Sequence, residues 1–261
     1  MIVDVHTHAF TDELAPRAIP TLAEQSGLKP FHDGTVGGLL GEADRAGVDV
    51  CVVQPVATKP SQVCAINDWA AAAQTDRVRF FGSMHPGFED PAAEIARIAD
   101  LGLRGIKLHT EYQTFRPDED RMAPIYDALV EHGLAVLFHA GEDEFLPTLY
   151  GASDAFARML DRWPELTAIL AHMGGYRQWS AVSANLVGRR CYLDTSYALG
   201  HMPDDDFVAM VAEHSPGRVL FGSDSPWDDM ASQLARLRSL PLSAEDRDAI
   251  AGGNTARLLG L

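Results

Sequence analysis

A chain of 261 residues, 46% hydrophobic and with a formal net charge of −16, is long enough to bury a large core. The acidic balance excludes the basic face that nucleic acid or an anionic membrane surface requires. No apolar run reaches the roughly 18 residues of a membrane-spanning helix.

Three cysteines, Cys51, Cys64 and Cys191, without C-x-x-C spacing, fit a reducing compartment. The N-terminus enters an apolar run directly, with no basic segment and apolar stretch of the leader type. A cytoplasmic location is the expectation.

The chain opens Met1-Ile2-Val3-Asp4-Val5-His6-Thr7-His8. The apolar residues predict a strand, on which residues two apart share a face. His6 and His8 then project together from its C-terminal end and can chelate one cation. A surface histidine pair on an edge strand is the plainer alternative for this motif alone.

Ala9 to Gly34 is a long connection with helical potential over Asp12 to Gln25, limited by Pro16 and Pro20; its length suggests a covering loop. Val36, Leu39, Leu40 and Ala43 predict a helix from Thr35 to Ala46, stopped by Gly47. Strands follow at Val48–Gln54, Val78–Met84, Leu103–His109, Leu134–His139, Leu166–His172, Cys191–Ser196 and Arg218–Ser223. Helical patterns lie between them, at Ser61–Thr75, Pro91–Leu101, Met122 to Gly133, around Phe156 to Trp163, and Asp204–His214. Eight near-continuous apolar runs predict a parallel sheet covered on both faces. Eight β-α units in this length predict one α/β domain over residues 1–261, a single (β/α)8 TIM barrel with its active site at the C-terminal strand ends. An open doubly wound sheet is the rival, but no G-x-G-x-x-G follows a strand.

The strand ends carry the chemistry. Besides His6 and His8, they offer Lys107 and His109, His139, His172 and Asp224. Polar residues closing buried runs are costly unless paired or ligated. Together they predict a metal site, in which histidines and a carboxylate hold a divalent ion and leave a position for water. The ion acidifies that water; Asp224 is the candidate to take its proton, and His172 to polarise a substrate oxygen.

These segments resemble the amidohydrolase superfamily, in the branch of pyrone-dicarboxylate lactonase and the decarboxylases of aminocarboxymuconate semialdehyde and resorcylate. The resemblance rests on Val5-His6-Thr7-His8, Gly105-Ile106-Lys107-Leu108-His109, Phe138-His139-Ala140-Gly141 and Ala171-His172-Met173-Gly174-Gly175. It continues through Phe221-Gly222-Ser223-Asp224-Ser225-Pro226-Trp227 and Asn254-Thr255-Ala256-Arg257-Leu258-Leu259, and so spans the chain. It implies His6, His8, His139 and Asp224 as metal ligands, Asp224 and His172 as catalytic groups, and one divalent ion, zinc in the first instance with manganese or iron as alternatives. A carboxylated Lys107 bridging two ions is the two-metal variant. The absence of longer insertions weighs against the decarboxylase members.

Lys107, His109 and Arg177 are candidates for binding the substrate, with Arg116 a further cation for a carboxylate. Asp4 either supports a ligand or closes the barrel floor. Asp194 and Ser196 either hydrogen-bond near the site or end a solvated strand. His32 and His85 are placed within reach of the mouth, and Glu142, Asp143 and Glu144 read as a solvated loop. The leading expectation is a metal-dependent hydrolase of a lactone, ester or amide in a small, carboxylate-bearing substrate. The alternative is a metal-dependent non-oxidative decarboxylase, and the third reading is a non-catalytic metal-binding barrel. A small molecule is the expected partner; homo-oligomerisation is left open.

Overall fold

Val3–Thr7, the first strand, is buried at all five positions, as a strand covered on both faces must be. The computed structural model describes residues 1–144 and 146–261. Its strands are β1 (Val3–Thr7), β2 (Val50–Val53), β3 (Val78–Phe80), β4 (Gly82–Ser83), β5 (Gly105–His109), β6 (Ala135–His139), β7 (Ala168–Leu170), β8 (Tyr192–Asp194) and β9 (Val219–Leu220). They occupy the eight stretches expected from the sequence, mostly shortened. The stretch Val78–Met84 divides in two around Phe81, whose side chain is fully buried.

The chain packs as two compact units. The first comprises residues 1–53, 75–79 and 194–261. Its strands run in the order β1-β2-β3, and β1 pairs in parallel with β2, Val3 opposite Val50 and Asp4 opposite Cys51. The other edge of β1 is bonded to the segment around β9. Val5 N–H donates to Phe221 O (2.9 Å), Asp224 N–H to His6 O (2.8 Å) and His8 N–H to Ser225 O (2.7 Å). Thr195 N–H donates to Leu220 O at 3.0 Å, so residues 194–196 follow on the far side. These bonds set His6, His8, Asp194 and Asp224 side by side. Gly222 makes room: a Cβ there would stand 2.9 Å from that of His6.

The connection after β1 folds as a helix over Ala15–Ser26, with a proline in its first turn and Pro20 inside it. Proline fits the first turn because no intrahelical donor is lost there. The next helix, Val36–Ala46, is capped by Thr35, whose side chain accepts from Gly38 N–H, and ends at Gly47 in the left-handed region, as expected.

The second unit comprises residues 54–74 and 80–193. Within it, β4, β5, β6, β7 and β8 pair in parallel in chain order. The β5/β6 register sets Ile106 against Val136, Lys107 against Leu137 and His109 against His139. Helices at Val63–Ala73, Pro91–Asp100, Ala123–His132, Ser153–Arg162 and Trp179–Asn185 separate the strands. Among the described residues, no helix is long and apolar enough to cross a membrane.

Candidate functional site

Each unit gathers histidine and carboxylate groups at its strand ends. In the first, one donor atom from each of His6, His8 and Asp224 lies within 4.8 Å of the others. Asp224 Oδ1 is 3.0 Å from His8 Nε2 and 3.3 Å from His6 Nε2. Behind them, His6 Nδ1 faces Asp194 Oδ2 at 2.9 Å, with Ser196 Oγ at 3.0 Å. Asp194 is fully buried and accepts from the N–H of Ser196 (3.0 Å) and from its hydroxyl.

This arrangement fixes the imidazole's protonation. A neutral His6 that gives its Nδ1 proton to Asp194 presents a lone pair on Nε2. That lone pair faces a carboxylate oxygen, and two acceptors at 3.3 Å call for a cation between them. Two imidazoles and one carboxylate with nothing soft among them form a donor set suited to a divalent transition ion. The residues present therefore fit the metal that the sequence predicts. Asp224 also has a left-handed backbone, φ +66°. That conformation is uncommon outside glycine, although aspartate and histidine adopt it more readily than most residues.

Asp4 underlies this cluster. Its Oδ1 accepts from the N–H groups of His6 (3.1 Å) and Ser223 (3.0 Å). Burial pushes its carboxyl up to about 7, against the lowering effect of those bonds.

The second unit's group is His109, His139 and Asp143. The register that pairs residues 109 and 139 stacks their rings, with centroids 4.1 Å apart and planes 6° apart. His109 also stacks on Tyr112 at 3.8 Å, and its Nδ1 accepts from Tyr112 N–H at 3.3 Å. Its neutral form therefore carries the proton on Nε2, which faces Asp143 Oδ2 at 3.7 Å. His139 Nε2 is 3.2 Å from Glu142 O and its Nδ1 is 3.1 Å from His172 Nε2. The Glu142 carbonyl can only accept, so in this arrangement His172 donates to His139 and His139 donates to Glu142. His172 is left-handed, φ +60°, and its carbonyl accepts from Trp179 Nε1–H at 2.9 Å.

The exits of β6 and β7 are tied beyond the histidines. Tyr176 N–H donates to Ala140 O (3.0 Å) and Glu142 N–H to Tyr176 O (3.1 Å). Gly141 sits between these bonds at φ +87°, where a Cβ would lie 2.2 Å from Tyr176 N. Only glycine meets both demands.

Lys107 is buried within β5. Arg177 is half exposed; it donates to Glu144 Oε1 at 2.8 Å and lies over the Tyr176 ring at 4.8 Å. Tyr176 Oη–H donates to the same oxygen at 2.8 Å. Arg116 pairs with Asp118 at 3.3 Å. The acidic run expected to be solvated is instead engaged. Asp143 turns inward to His109, Glu142 accepts from Gln178 at 2.6 Å, and Glu144 holds Tyr176 and Arg177.

Sequence reasoning passed over Glu111. It is buried and accepts from Thr148 Oγ1–H (2.6 Å), Tyr150 N–H (2.6 Å) and Gly151 N–H (3.1 Å). Nothing in its polar surroundings distinguishes it from a solvated glutamate.

The family model described as amidohydrolase, of the amidohydrolase-2 type, matches residues 3–261, and the chain belongs to this family. Three solved structures show its fold in full. An uncharacterised TIM-barrel protein from Bordetella bronchiseptica is 20% identical, with 99% of this chain and 98% of that one covered and a TM-score of 0.77. A 5-carboxyvanillate decarboxylase from Novosphingobium aromaticivorans, with bound manganese and 3-methoxy-4-hydroxy-5-nitrobenzoic acid, is 16% identical over 100% and 97%, with a TM-score of 0.75. A 2,6-dihydroxybenzoate decarboxylase from Rhizobium is 16% identical over 99% and 98%, with a TM-score of 0.74. The chain is thus an α/β protein with the TIM-barrel fold that the strand pattern predicts. No match was found among curated protein sequences.

Proposed function

We propose that this protein is a metal-dependent non-oxidative decarboxylase of a small hydroxylated aromatic acid. One observation carries the metal-dependent part: the lone pair of His6 Nε2, set by Asp194, converges with His8 Nε2 on Asp224 Oδ1. Two of the solved structures with this fold are decarboxylases of hydroxybenzoates, which favours carbon–carbon cleavage over hydrolysis and reverses the order expected from the sequence.

His6, His8 and Asp224 would hold one divalent ion, and the family resemblance adds His139 to that set. Bound there, the ion supplies a Lewis acid for the acid's carboxylate and neighbouring hydroxyl oxygens. Manganese, bound in the 5-carboxyvanillate decarboxylase, is the ion to test beside zinc. Asp224 is the group assigned to carry a proton to the ring carbon. The proton takes the place of the carboxylate there as that group leaves as CO2. The chain from His172 to His139 holds a second proton in reserve. Lys107, His109 and Arg177 remain the candidates for orienting the acid; a substrate carboxylate reaching Arg177 would compete with Glu144. Residues 1–261 would act as one catalytic domain with a small-molecule partner.

Hydrolysis is the second reading, favoured by the family's own description. Protein loaded separately with manganese and zinc should be incubated with 5-carboxyvanillate and 2,6-dihydroxybenzoate in D2O. The expected result is CO2 release with deuterium at the vacated carbon. A turned-over compound that keeps all its carbons and gains water would sink the decarboxylase reading.

A further inference from the structure

We infer that His32 is a substrate-binding residue whose Nε2–H donates a hydrogen bond to a carboxylate oxygen of the acid held at the His6–His8–Asp224 cluster. The identity of the acid rests on the reading above; the donor itself rests on the geometry of the turn.

His32 lies in the connection after β1, within the first unit. The turn that carries it is built without its distal nitrogen. Asp33 Oδ1 accepts from Thr35 N–H (2.9 Å) and Thr35 Oγ1–H (2.7 Å). Gly34 takes φ +80°, where a Cβ would collide with Ile19 at 2.3 Å. His32 Nδ1 accepts from Gly34 N–H at 3.0 Å. That bond decides the tautomer: with a lone pair on Nδ1, the neutral ring carries its single proton on Nε2. Nε2 is a buried atom, and it has no hydrogen-bond partner among the described residues. A buried N–H without an acceptor is costly and rarely kept.

The turn is pinned to the strand ends that form the cluster. Phe10 N–H, two residues beyond His8, donates to Gly34 O at 2.8 Å, and Phe31 N–H donates to Pro226 O at 2.9 Å, two residues beyond Asp224. Burial pushes the His32 imidazole down to about 4, against the raising effect of the Asp33 carboxylate and with a smaller lowering effect from His8. The ring is therefore neutral at physiological pH, a hydrogen-bond donor and not an additional cation. An oxygen acceptor brought by the substrate would complete it, and a carboxylate oxygen makes the stronger bond.

Two substitutions separate the ring's halves. In His32→Asn, the amide oxygen takes over from Nδ1 as acceptor for Gly34 N–H, an ordinary turn of asparagine, but the distal donor is lost. In His32→Gln, the amide nitrogen returns a donor near the Nε2 position. Metal content, thermal midpoint and the Kd of 3-methoxy-4-hydroxy-5-nitrobenzoate would be measured on manganese-loaded wild type and both variants. The histidine tautomer would be read by 15N NMR on the zinc-loaded wild type. The expected result is an Nε2–H tautomer, a Kd about tenfold weaker in His32→Asn with metal content and midpoint held, and partial recovery in His32→Gln. An Nδ1–H tautomer, or a His32→Asn variant that binds as well as wild type, overturns the inference. So does a wild type that binds no organic acid. Binding sensitive to His32→Asn without CO2 release from any acid would sink the decarboxylase reading and leave the donor standing; CO2 release with insensitive binding would do the reverse.

Discussion

The two histidine–carboxylate clusters have the same composition and opposite proton logic. In the His6–His8–Asp224 cluster, a buried carboxylate behind the ring takes the Nδ1 proton and turns the Nε2 lone pair toward Asp224. In the His109–His139–Asp143 cluster, the backbone decides. Tyr112 N–H occupies Nδ1 of His109, and Glu142 O takes the Nε2 proton of His139. The first cluster presents acceptors and suits a cation; in the second, the ring N–H groups are directed at Asp143 and at the Glu142 carbonyl. What surrounds an imidazole, more than its proximity to a carboxylate, determines whether it ligates or donates. His139 keeps its Nε2 proton on Glu142 O and accepts from His172 on Nδ1.

Asp224 is where the difference between the clusters is tested most directly. Asp224→Asn should empty the metal site on elemental analysis and lower turnover by about 10²–10⁴-fold, the range of a positioned proton-transfer group. His6→Ala should strip the metal and His109→Ala should leave its content unchanged; loss of metal in both would refute the contrast between the clusters. A smaller effect is expected from Asp194→Asn. The amide keeps an acceptor but loses the charge behind His6, so metal affinity should fall about 10–100-fold with the far-ultraviolet circular dichroism intact.

His109→Ala should also raise KM for the acid by about tenfold, the cost of one hydrogen bond to a charged group, with kcat less affected. An unchanged KM would remove His109 from the substrate's surroundings.

A further effect is on stability. The folded His32 titrates at about 4 against an ordinary 6.5, so the unfolded chain binds more protons between those values. This contribution is fully present above pH 6.5 and is lost as pH falls through 4. It amounts to at most about 3–4 kcal/mol at roughly 1.4 kcal/mol per pH unit. Denaturant melts of wild type and His32→Asn should coincide near pH 7 and separate toward pH 4, with wild type the less stable there; parallel curves would show that His32 is not buried as a neutral ring.

Much of the scaffold was legible because its signals are local. Alternation puts His6 and His8 on one face whatever surrounds them, and fully apolar runs such as Val136 to Phe138 announce strands covered on both sides. Asp224 was legible by its place after such a run. The partners were not. Asp194 meets His6 only because both segments flank β9, a fact of strand order and not of spacing. Asp143 turns inward because a short loop carries it back over His109, and an acidic run gives no sign of which member will do so. Glu111 is buried by the backbone amides it accepts from, and those lie about forty residues away. The division at Phe81 depends on tertiary packing, which a continuous Val78–Met84 pattern does not reveal.

Gly141 has a consequence for how the family's sequences can vary at this point. A Cβ there has no space to enter, since backbone atoms of residues 175 and 176 fill its position. In a saturation library, position 141 should therefore tolerate almost nothing, whereas at its neighbour Glu142, which serves His139 through its carbonyl, a change costs only the side chain's bond to Gln178 and many residues should be accepted. The local tolerance to mutation would then trace a boundary between a fixed hinge that couples the two histidine-bearing exits and a surface open to change one residue later.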